Sequence, residues 1–284
     1  VQLGLPVEKA LQMATIQPAR CYGLYQLGMI APGRQADFVI LDNVTDLNVV
    51  DVYHCGKRVI RDEKVEVKPC PPHLKNTVHV SGFSEERLKL KHPGGKAHVI
   101  QMLEKQIVTS DVVEEVPWKV LDGEKYFVPD GEYQKIAVIE RHKNTGKMGV
   151  GIVKGYGIRG GAIASSVSHD SHNIIVVGDN DRDMALAVKE MMRTQGGYTL
   201  VRDGEIYGTL PLPVMGLMSD AGYESVNEAL AKMIPKAYEM GVKDGFDPFI
   251  TLSFMALPVI PEIRITPRGI YLVKEDRMLR TPFC

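Results

Sequence analysis

A run of five consecutive polar residues, 169–173, stands between two apolar segments whose residues favour β-strands. Those segments are residues 162–168 and residues 174–177. Strands on both sides carry the polar run into or beside the core, where polar groups lower stability unless they find hydrogen-bond partners. We therefore interpret the run as a functional site. Its members are His169, Asp170, Ser171, His172 and Asn173.

Composition excludes several classes of partner. The 284 residues carry a formal net charge of −1, so the chain has no basic excess for nucleic acid or for an anionic membrane surface. No apolar run approaches the roughly 20 residues that span a bilayer. The four cysteines show no zinc-ligand spacing, and we expect free thiols in a reducing cytoplasm. The residues that follow Val1 lack the basic and apolar regions typical of a signal peptide, and we expect the chain to be part of a longer protein.

The beginning of the chain is predicted to be a helix followed by an incomplete sheet. Within residues 1–20, apolar side chains recur at helical spacing from Val7 to Ala14, and Pro18 should end the helix. Residues 21–68 contain short strand-like segments, including 37–41 and a hairpin around 55–57. Such short strands do not complete a sheet by themselves.

Residues 75–284 follow a proline-rich linker at 66–76 and are predicted to form a mainly antiparallel α+β domain. Adjacent strand-like segments joined by short turns favour antiparallel pairing, and Asp203-Gly204 is a type I′ hairpin signal. Helices are predicted between Asp179 and Gly196 and from about 220 to 240. The predicted strands are 136–140, 148–153, 162–168, 174–177, 199–201, 206–210, 249–256 and 270–273.

Three further patterns favour structural interpretations. Residues 155–160 match G-x-G-x-x-G, but a β-prone segment follows where a dinucleotide fingerprint opens a helix, so we predict a closely packed turn. Ser165, Ser166 and Ser168 lack the Gly-x-Ser-x-Gly context of a hydrolase nucleophile. The methionine-rich stretch 215–218 is predicted to lie in the core.

Two sets of motifs resemble known families. The segment 13–42, with MATIQPAR at 13–20 and GMIAPGRQADFVILD at 28–42, resembles the exit from an amidohydrolase-superfamily barrel. Later blocks resemble, in order, the C-terminal domain of bacterial adenine deaminases. They are RGGAIASS at 159–166, SHDSHN at 168–173, LPLP at 210–213, GLMSD at 216–220, DPF at 247–249 and LSF at 252–254.

The resemblance implies an organisation and a reaction. Residues 1–20 would be the terminal helix of an amidohydrolase barrel, 21–68 part of a small β-sandwich, and 75–284 the C-terminal α+β domain. The family deaminates adenine to hypoxanthine and ammonia with manganese or iron, and the resemblance implies a cytoplasmic homodimer. Family members hold the metal on barrel residues that include a His-x-His pair. This sequence contains no His-x-His, so we expect the metal site, and the barrel portion that carries it, outside this chain.

The polar run is then expected to cover the barrel's active site, where imidazoles near their pKa can move protons. The predicted catalytic residues are His169, Asp170 and His172; the predicted substrate-binding residues are Ser168, Ser171, Asn173 and Arg159. Two alternatives stay open for the run: an independent metal site, which needs a third ligand, and a purely structural hydrogen-bond network. For the whole chain, the alternatives are a non-catalytic oligomerisation or stabilising module, and another amidohydrolase such as a deacetylase or cyclic amidase.

Overall fold

A computed structural model describes residues 4–59 and 70–284. The chain divides into two compact units, one ending at Lys68 and the other beginning at Pro69. Both units combine helices with sheets whose strands are mainly antiparallel, which confirms the predicted α+β class. Residues 66–69 of the predicted linker lie outside the described part of the chain.

Within residues 4–59, the first unit contains two helices and a three-stranded sheet. Helix α2 continues past Pro18, so the prediction that the helical segment ends there is wrong. Pro18 is the third residue of α2, and backbone N–H groups in the first helical turn have no intrahelical partner to lose. The elements are α1 (Val7–Ala14), α2 (Ile16–Cys21), β1 (Phe38–Leu41), β2 (Val49–His54) and β3 (Lys57–Val59), with sheet order β1-β2-β3.

The second unit is built on an eight-stranded sheet. Its order is β13-β12-β10-β11-β8-β9-β4-β5, and β4 and β9 run parallel while the other neighbouring pairs are antiparallel. Strands β6 and β7 form a separate hairpin. The strands are β4 (Ala97–Met102), β5 (Thr109–Glu114), β6 (Trp118–Leu121), β7 (Glu124–Phe127), β8 (Tyr133–Ile139), β9 (Met148–Lys154), β10 (Gly161–Ser165), β11 (Ile174–Gly178), β12 (Gly197–Arg202) and β13 (Glu205–Pro211).

Helices and a second small sheet cover this large sheet. They are α3 (Asp181–Thr194), α4 (Tyr223–Glu239), α5 (Ile250–Met255), β14 (Ile263–Thr266), β15 (Gly269–Leu272) and β16 (Arg277–Leu279), with short 3-10 turns at Pro72–Leu74 and Glu85–Leu88. The hairpin between β12 and β13 turns at Asp203 and Gly204, both with positive φ, as the I′ signal predicts. None of the helices in the described ranges is both long and apolar enough to cross a membrane.

The central strands of the large sheet are buried on both faces. Successive side chains of a strand point to opposite faces, so Ile163 of β10 lies on one side and Ala162 and Ala164 on the other. Ile163 joins a core cluster with residues of α4, α5, β14 and β15. Ala162 and Ala164 pack with residues of α3. The loop between β10 and β11 therefore joins two strands that are covered on both faces of the sheet.

The predicted strand at 249–256 is wrong, because Ile250–Met255 forms helix α5. Periodicity does not separate a short apolar strand from a short buried helix. The deciding contact is local: Asp247 Oδ1 accepts hydrogen bonds from the backbone N–H groups of Phe249 at 2.9 Å and Ile250 at 2.7 Å. These bonds satisfy donors that a helix start otherwise leaves free.

Candidate functional site

The polar run lies in the loop that joins β10 to β11, which we call the polar loop, residues 166–173. The two strands are antiparallel neighbours in the middle of the sheet, with Ser165 opposite Ile175, so the polar loop connects them at one edge of the sheet's centre. Strand β10 ends three residues before its predicted end. The Ser165 hydroxyl donates to the carbonyl of Val167 and accepts from its N–H, each at 3.0 Å, and this local turn replaces strand pairing.

The polar loop has a buried inner part and an exposed outer part. Ser168 is fully buried and Asn173 nearly so, and Ser168 Oγ and Asn173 Oδ1 have no hydrogen-bond partner among the described residues. An unpartnered buried polar atom costs roughly 1–3 kcal/mol. Asp170 and Ser171 are exposed, while His169 and His172 are half-buried between the two parts. The structure therefore brings these six predicted residues into one loop but gives them different access to solvent.

His172 is held in place by hydrogen bonds to Ser168. The N–H of His172 donates to the carbonyl of Ser168 at 2.5 Å, and the N–H of Ser168 donates to His172 Nδ1 at 3.3 Å. Burial, then the positive charge of Arg141 and the neighbouring His169, lower the pKa of His172 below its usual value. A neutral imidazole that accepts at Nδ1 carries its proton on Nε2. His172 can therefore offer a neutral N–H donor.

His169 packs against helix α5. Its ring centroid lies 4.9 Å from that of Phe254 and 6.4 Å from that of His172. An aromatic neighbour at this distance restricts the imidazole without occupying its nitrogens. The two imidazoles of the polar loop are thus close but not in contact. The ring of Phe254 orients His169, and backbone hydrogen bonds with Ser168 orient His172.

The end of β8 supplies two residues that the sequence analysis did not single out. Arg141 Nε donates to the carbonyl of His172 at 2.5 Å, and His142 Nε2 hydrogen-bonds the carbonyl of Ser171 at 2.7 Å. Both residues lie two and three positions after the end of the buried strand β8, and polar side chains just beyond a buried strand can indicate a functional site. Sequence alone does not show which loop such side chains reach, because β8 and β11 become neighbours only in the sheet.

A second loop, residues 212–219, lies beside the polar loop, and we call it the methionine loop. Ser166 Oγ donates to the carbonyl of Gly216 at 2.6 Å and accepts from the N–H of Gly197 at 2.7 Å. The prediction that the methionines of this stretch lie in the core is wrong, since Met215 is 43% and Met218 52% exposed. Their backbone, and not their side chains, makes the hydrogen bonds that hold this loop: Met215 donates to the carbonyl of Leu74.

Arg159 is not brought together with the polar loop. It precedes β10, whereas the polar loop follows it, and a strand of five residues separates the two by about 16 Å. The N–H of Arg159 donates to the carbonyl of Met240 at 2.7 Å. The G-x-G-x-x-G segment that contains it forms a loop between β9 and β10 and does not open a helix. The loop is closely packed, as predicted: a Cβ on Gly157 would come within 2.5 Å of the carbonyl oxygen of Gly241.

The larger surface depressions do not coincide with the polar loop. One of about 980 Å³ belongs to the first unit and is lined mainly by apolar side chains such as Leu11 and Phe38. Another of about 530 Å³ lies in the second unit between Glu140, Arg268 and Tyr271. Both sizes suit small ligands, but neither depression contains a residue of the polar loop. We take the convergence of titratable and unpartnered groups in that loop as the stronger signal.

Possible metal ligands converge elsewhere. Within residues 4–59 and 70–284, the group of three or more that can share an ion is Asp37, His54 and Cys55, all exposed. His169 and His172 gain no third ligand, so the geometry gives no support to an independent metal site in the polar loop. In the exposed group, Asp37 Oδ1 already accepts from the N–H of Cys55 at 2.7 Å and lies 3.2 Å from His54 Nδ1.

Two family models match the chain. Residues 106–277 match the adenine deaminase C-terminal domain, and residues 1–68 match the amidohydrolase family. The first match covers the polar loop, the methionine loop and helix α5.

Curated relatives match almost the whole chain. A protein of Desulfitobacterium hafniense named adenine deaminase is 51% identical over 280 residues, which are 99% of this chain and 48% of that protein. Adenine deaminases of Nitratidesulfovibrio vulgaris and Clostridium acetobutylicum are 43% and 42% identical over 96% and 97% of this chain, and 48% and 49% of their own lengths. The chain therefore spans about half the length of the curated relatives it matches.

Proposed function

Because the chain belongs to the adenine deaminase C-terminal domain family, we propose that it is part of a hydrolase that converts adenine and water to hypoxanthine and ammonia. The observation that carries the proposal is the similarity over 99% of the chain to a protein named adenine deaminase. The matched region includes the polar loop, which gathers two imidazoles, a carboxylate and two unpartnered polar groups. Enzymes often place groups of this kind at the reacting substrate.

In this proposal the polar loop covers the active site of the barrel portion. A purine presents both hydrogen-bond donors and acceptors at its edge. Neutral His172 offers an N–H donor, and Ser168, Ser171 and Asn173 offer hydroxyl and amide groups. Deamination also needs proton movement from water to the leaving amino group, and His169, Asp170 and His172 are the proposed groups for it. Arg159 lies at the other end of β10, too far to share a single purine with them.

The amidohydrolase family implies a divalent metal, which we propose to be manganese or iron from the family resemblance. The described residues of this chain do not fit such a catalytic site. Their group of possible ligands, Asp37, His54 and Cys55, is exposed and includes one imidazole, and Asp37 accepts a hydrogen bond from the hairpin backbone. We therefore derive no step through the metal. The same resemblance is the basis for proposing a homodimer that acts in purine catabolism or adenine salvage, and the four free cysteines are the basis for proposing a cytoplasmic location.

Ammonia release from adenine tests the proposal, measured with manganese supplied on the full-length polypeptide that contains this chain. His172→Gln and His169→Gln should each lower kcat by about 100-fold or more if the imidazoles move protons. His73→Gln is the matched control, because His73 is exposed and lies outside both loops; it should leave kcat unchanged.

Two results would overturn parts of this proposal. A folded, metal-loaded wild-type enzyme that releases no ammonia from adenine removes adenine as the substrate, and leaves a deacetylase or cyclic amidase as the alternative. Polar-loop variants that lose stability but keep the wild-type kcat show instead that the second unit is a non-catalytic stabilising or oligomerisation module.

A further inference from the structure

We infer that Arg141 is a positioning residue that clamps the polar loop and the methionine loop together as one unit. Arg141 stands at the end of β8 and is 1% exposed. Its Nε donates to the carbonyl of His172 at 2.5 Å and its Nη2 to the carbonyl of Met215 at 3.0 Å. One planar side chain therefore ties together two loops through residues 172 and 215, which are 43 positions apart in sequence.

The clamp uses the shape of the guanidinium as well as its charge. Arg141 forms no ion pair among the described residues, and its side-chain hydrogen bonds there go to main-chain carbonyl oxygens; the third, from Nη1 to Thr77, is long at 3.5 Å. The buried charge of Arg141 is poorly solvated, and this lowers the pKa of Arg141 to about 10. An apolar side chain would fill such a position without this penalty. The hydrogen bonds from the guanidinium to the main-chain carbonyls offset this penalty.

The backbone of the methionine loop is shaped to receive the guanidinium. Gly216 packs against it, and a Cβ there would lie 2.8 Å from Arg141 Cζ and Nη1. Gly216 also has φ +71°, a conformation that other residues adopt at a cost. Ser166, at the start of the polar loop, donates to the carbonyl of the same glycine. The two loops are thus joined at both ends of the polar loop, by Ser166 and by Arg141.

The clamp also sets the environment of His172. Four charged or titratable neighbours act on this imidazole: Arg141, His169 and His142 lower its pKa, and Asp170 raises it. Among these charges, that of Arg141 has the largest effect on the pKa of His172, and Arg141 also donates a hydrogen bond to the carbonyl of His172. Removing the guanidinium therefore frees the His172 backbone and reduces the repulsion that keeps its ring neutral. The consequence for catalysis rests on the function proposed above; the clamp itself does not.

Hydrogen exchange on the full-length enzyme tests the clamp, with Arg141→Lys as the variant. Lysine keeps the charge but lacks the fork that reaches two carbonyls. We expect amides of both loops to exchange at least about tenfold faster, because a hydrogen bond from a charged donor is worth roughly 1.5–3 kcal/mol. If the polar loop acts on substrate, kcat should also fall at least tenfold with metal content unchanged.

Arg264→Lys is the matched control. Arg264 is also fully buried, its pKa is also lowered to about 10 by burial, and its guanidinium also donates to carbonyls, those of Ile107, Pro261 and Ile263. It additionally donates to the Thr109 hydroxyl. Arg264→Lys should speed exchange around residues 107–109 and 261–263 and leave the two loops unchanged.

The unmutated enzyme provides a second test that does not depend on the variant's folding. Clamped loops should open together, so amides in 166–173 and 212–219 should share one opening free energy and one dependence on denaturant. Different values for the two loops, or unchanged loop exchange in folded Arg141→Lys, would overturn the clamp. Faster loop exchange with an unchanged kcat would support the clamp and refute the catalytic role of the polar loop.

Discussion

Glu140 closes the turn between β8 and β9, and its stabilising effect should depend on pH. Its carboxylate accepts hydrogen bonds from the N–H groups of His142 at 2.6 Å, Lys143 at 2.7 Å and Thr145 at 2.9 Å, and from the Thr145 hydroxyl at 2.7 Å. Partial burial raises the pKa of Glu140, but these hydrogen bonds outweigh it and lower the pKa from 4.5 to about 2. These hydrogen bonds fix the turn that contains Arg141 and His142.

The pKa change sets the magnitude and the sign of the effect. It corresponds to roughly 3 kcal/mol at most, and because Glu140 is only half-buried, screening by solvent reduces this to about 1–2 kcal/mol. A carboxyl whose pKa is lower in the folded state stabilises the fold fully above the unfolded-state pKa. The stabilisation is lost as the pH falls from about 4.5 towards about 2.

Glu140→Gln should therefore lower the free energy of unfolding by about 1–2 kcal/mol at pH 7, and the difference from wild type should shrink below pH 4.5. Urea unfolding between pH 7 and pH 3.5, followed by tyrosine and tryptophan fluorescence, measures this difference. Glu205→Gln is the control, because Glu205 is exposed and forms no side-chain hydrogen bond or ion pair within the described ranges. A wild-type minus Glu140→Gln difference that stays constant with pH would refute the reasoning.

Two further substitutions test how the sheet and helix α5 support the polar loop. Gly197→Ala places a Cβ 1.9 Å from the carbonyl oxygen of Leu210 on the paired strand. We therefore expect the free energy of unfolding, measured by thermal unfolding, to fall by more than about 3 kcal/mol. A melting temperature close to that of the wild type would contradict this. Asp247→Ala removes the acceptor for the N–H groups that begin α5 and should cost about 1 kcal/mol. It should also shift the NMR resonances of His169, which packs on Phe254; unchanged resonances would show that α5 does not depend on this cap.

Local sequence patterns determined most of the large sheet. The hairpin at Asp203-Gly204, the strands on either side of the polar loop and helix α3 follow from turn chemistry and from hydrophobic periodicity, which act between residues close in sequence. The same patterns set the polar run between two strands, and the structure showed that the run is a loop in which the ring centroids of His169 and His172 lie 6.4 Å apart.

Tertiary structure decided which residues from other parts of the chain contact the polar loop. Arg141 reaches the polar loop because β8 pairs with β11, and Phe254 reaches His169 because α5, a helix where a strand was predicted, packs on the sheet. Arg159 is distant because β10 runs straight between it and the polar loop. Sequence by itself predicted a site in the polar loop, whereas the burial, the hydrogen bonds and the charge around that loop come from strand order and packing. These contacts join residues far apart in sequence, and no local pattern encodes them.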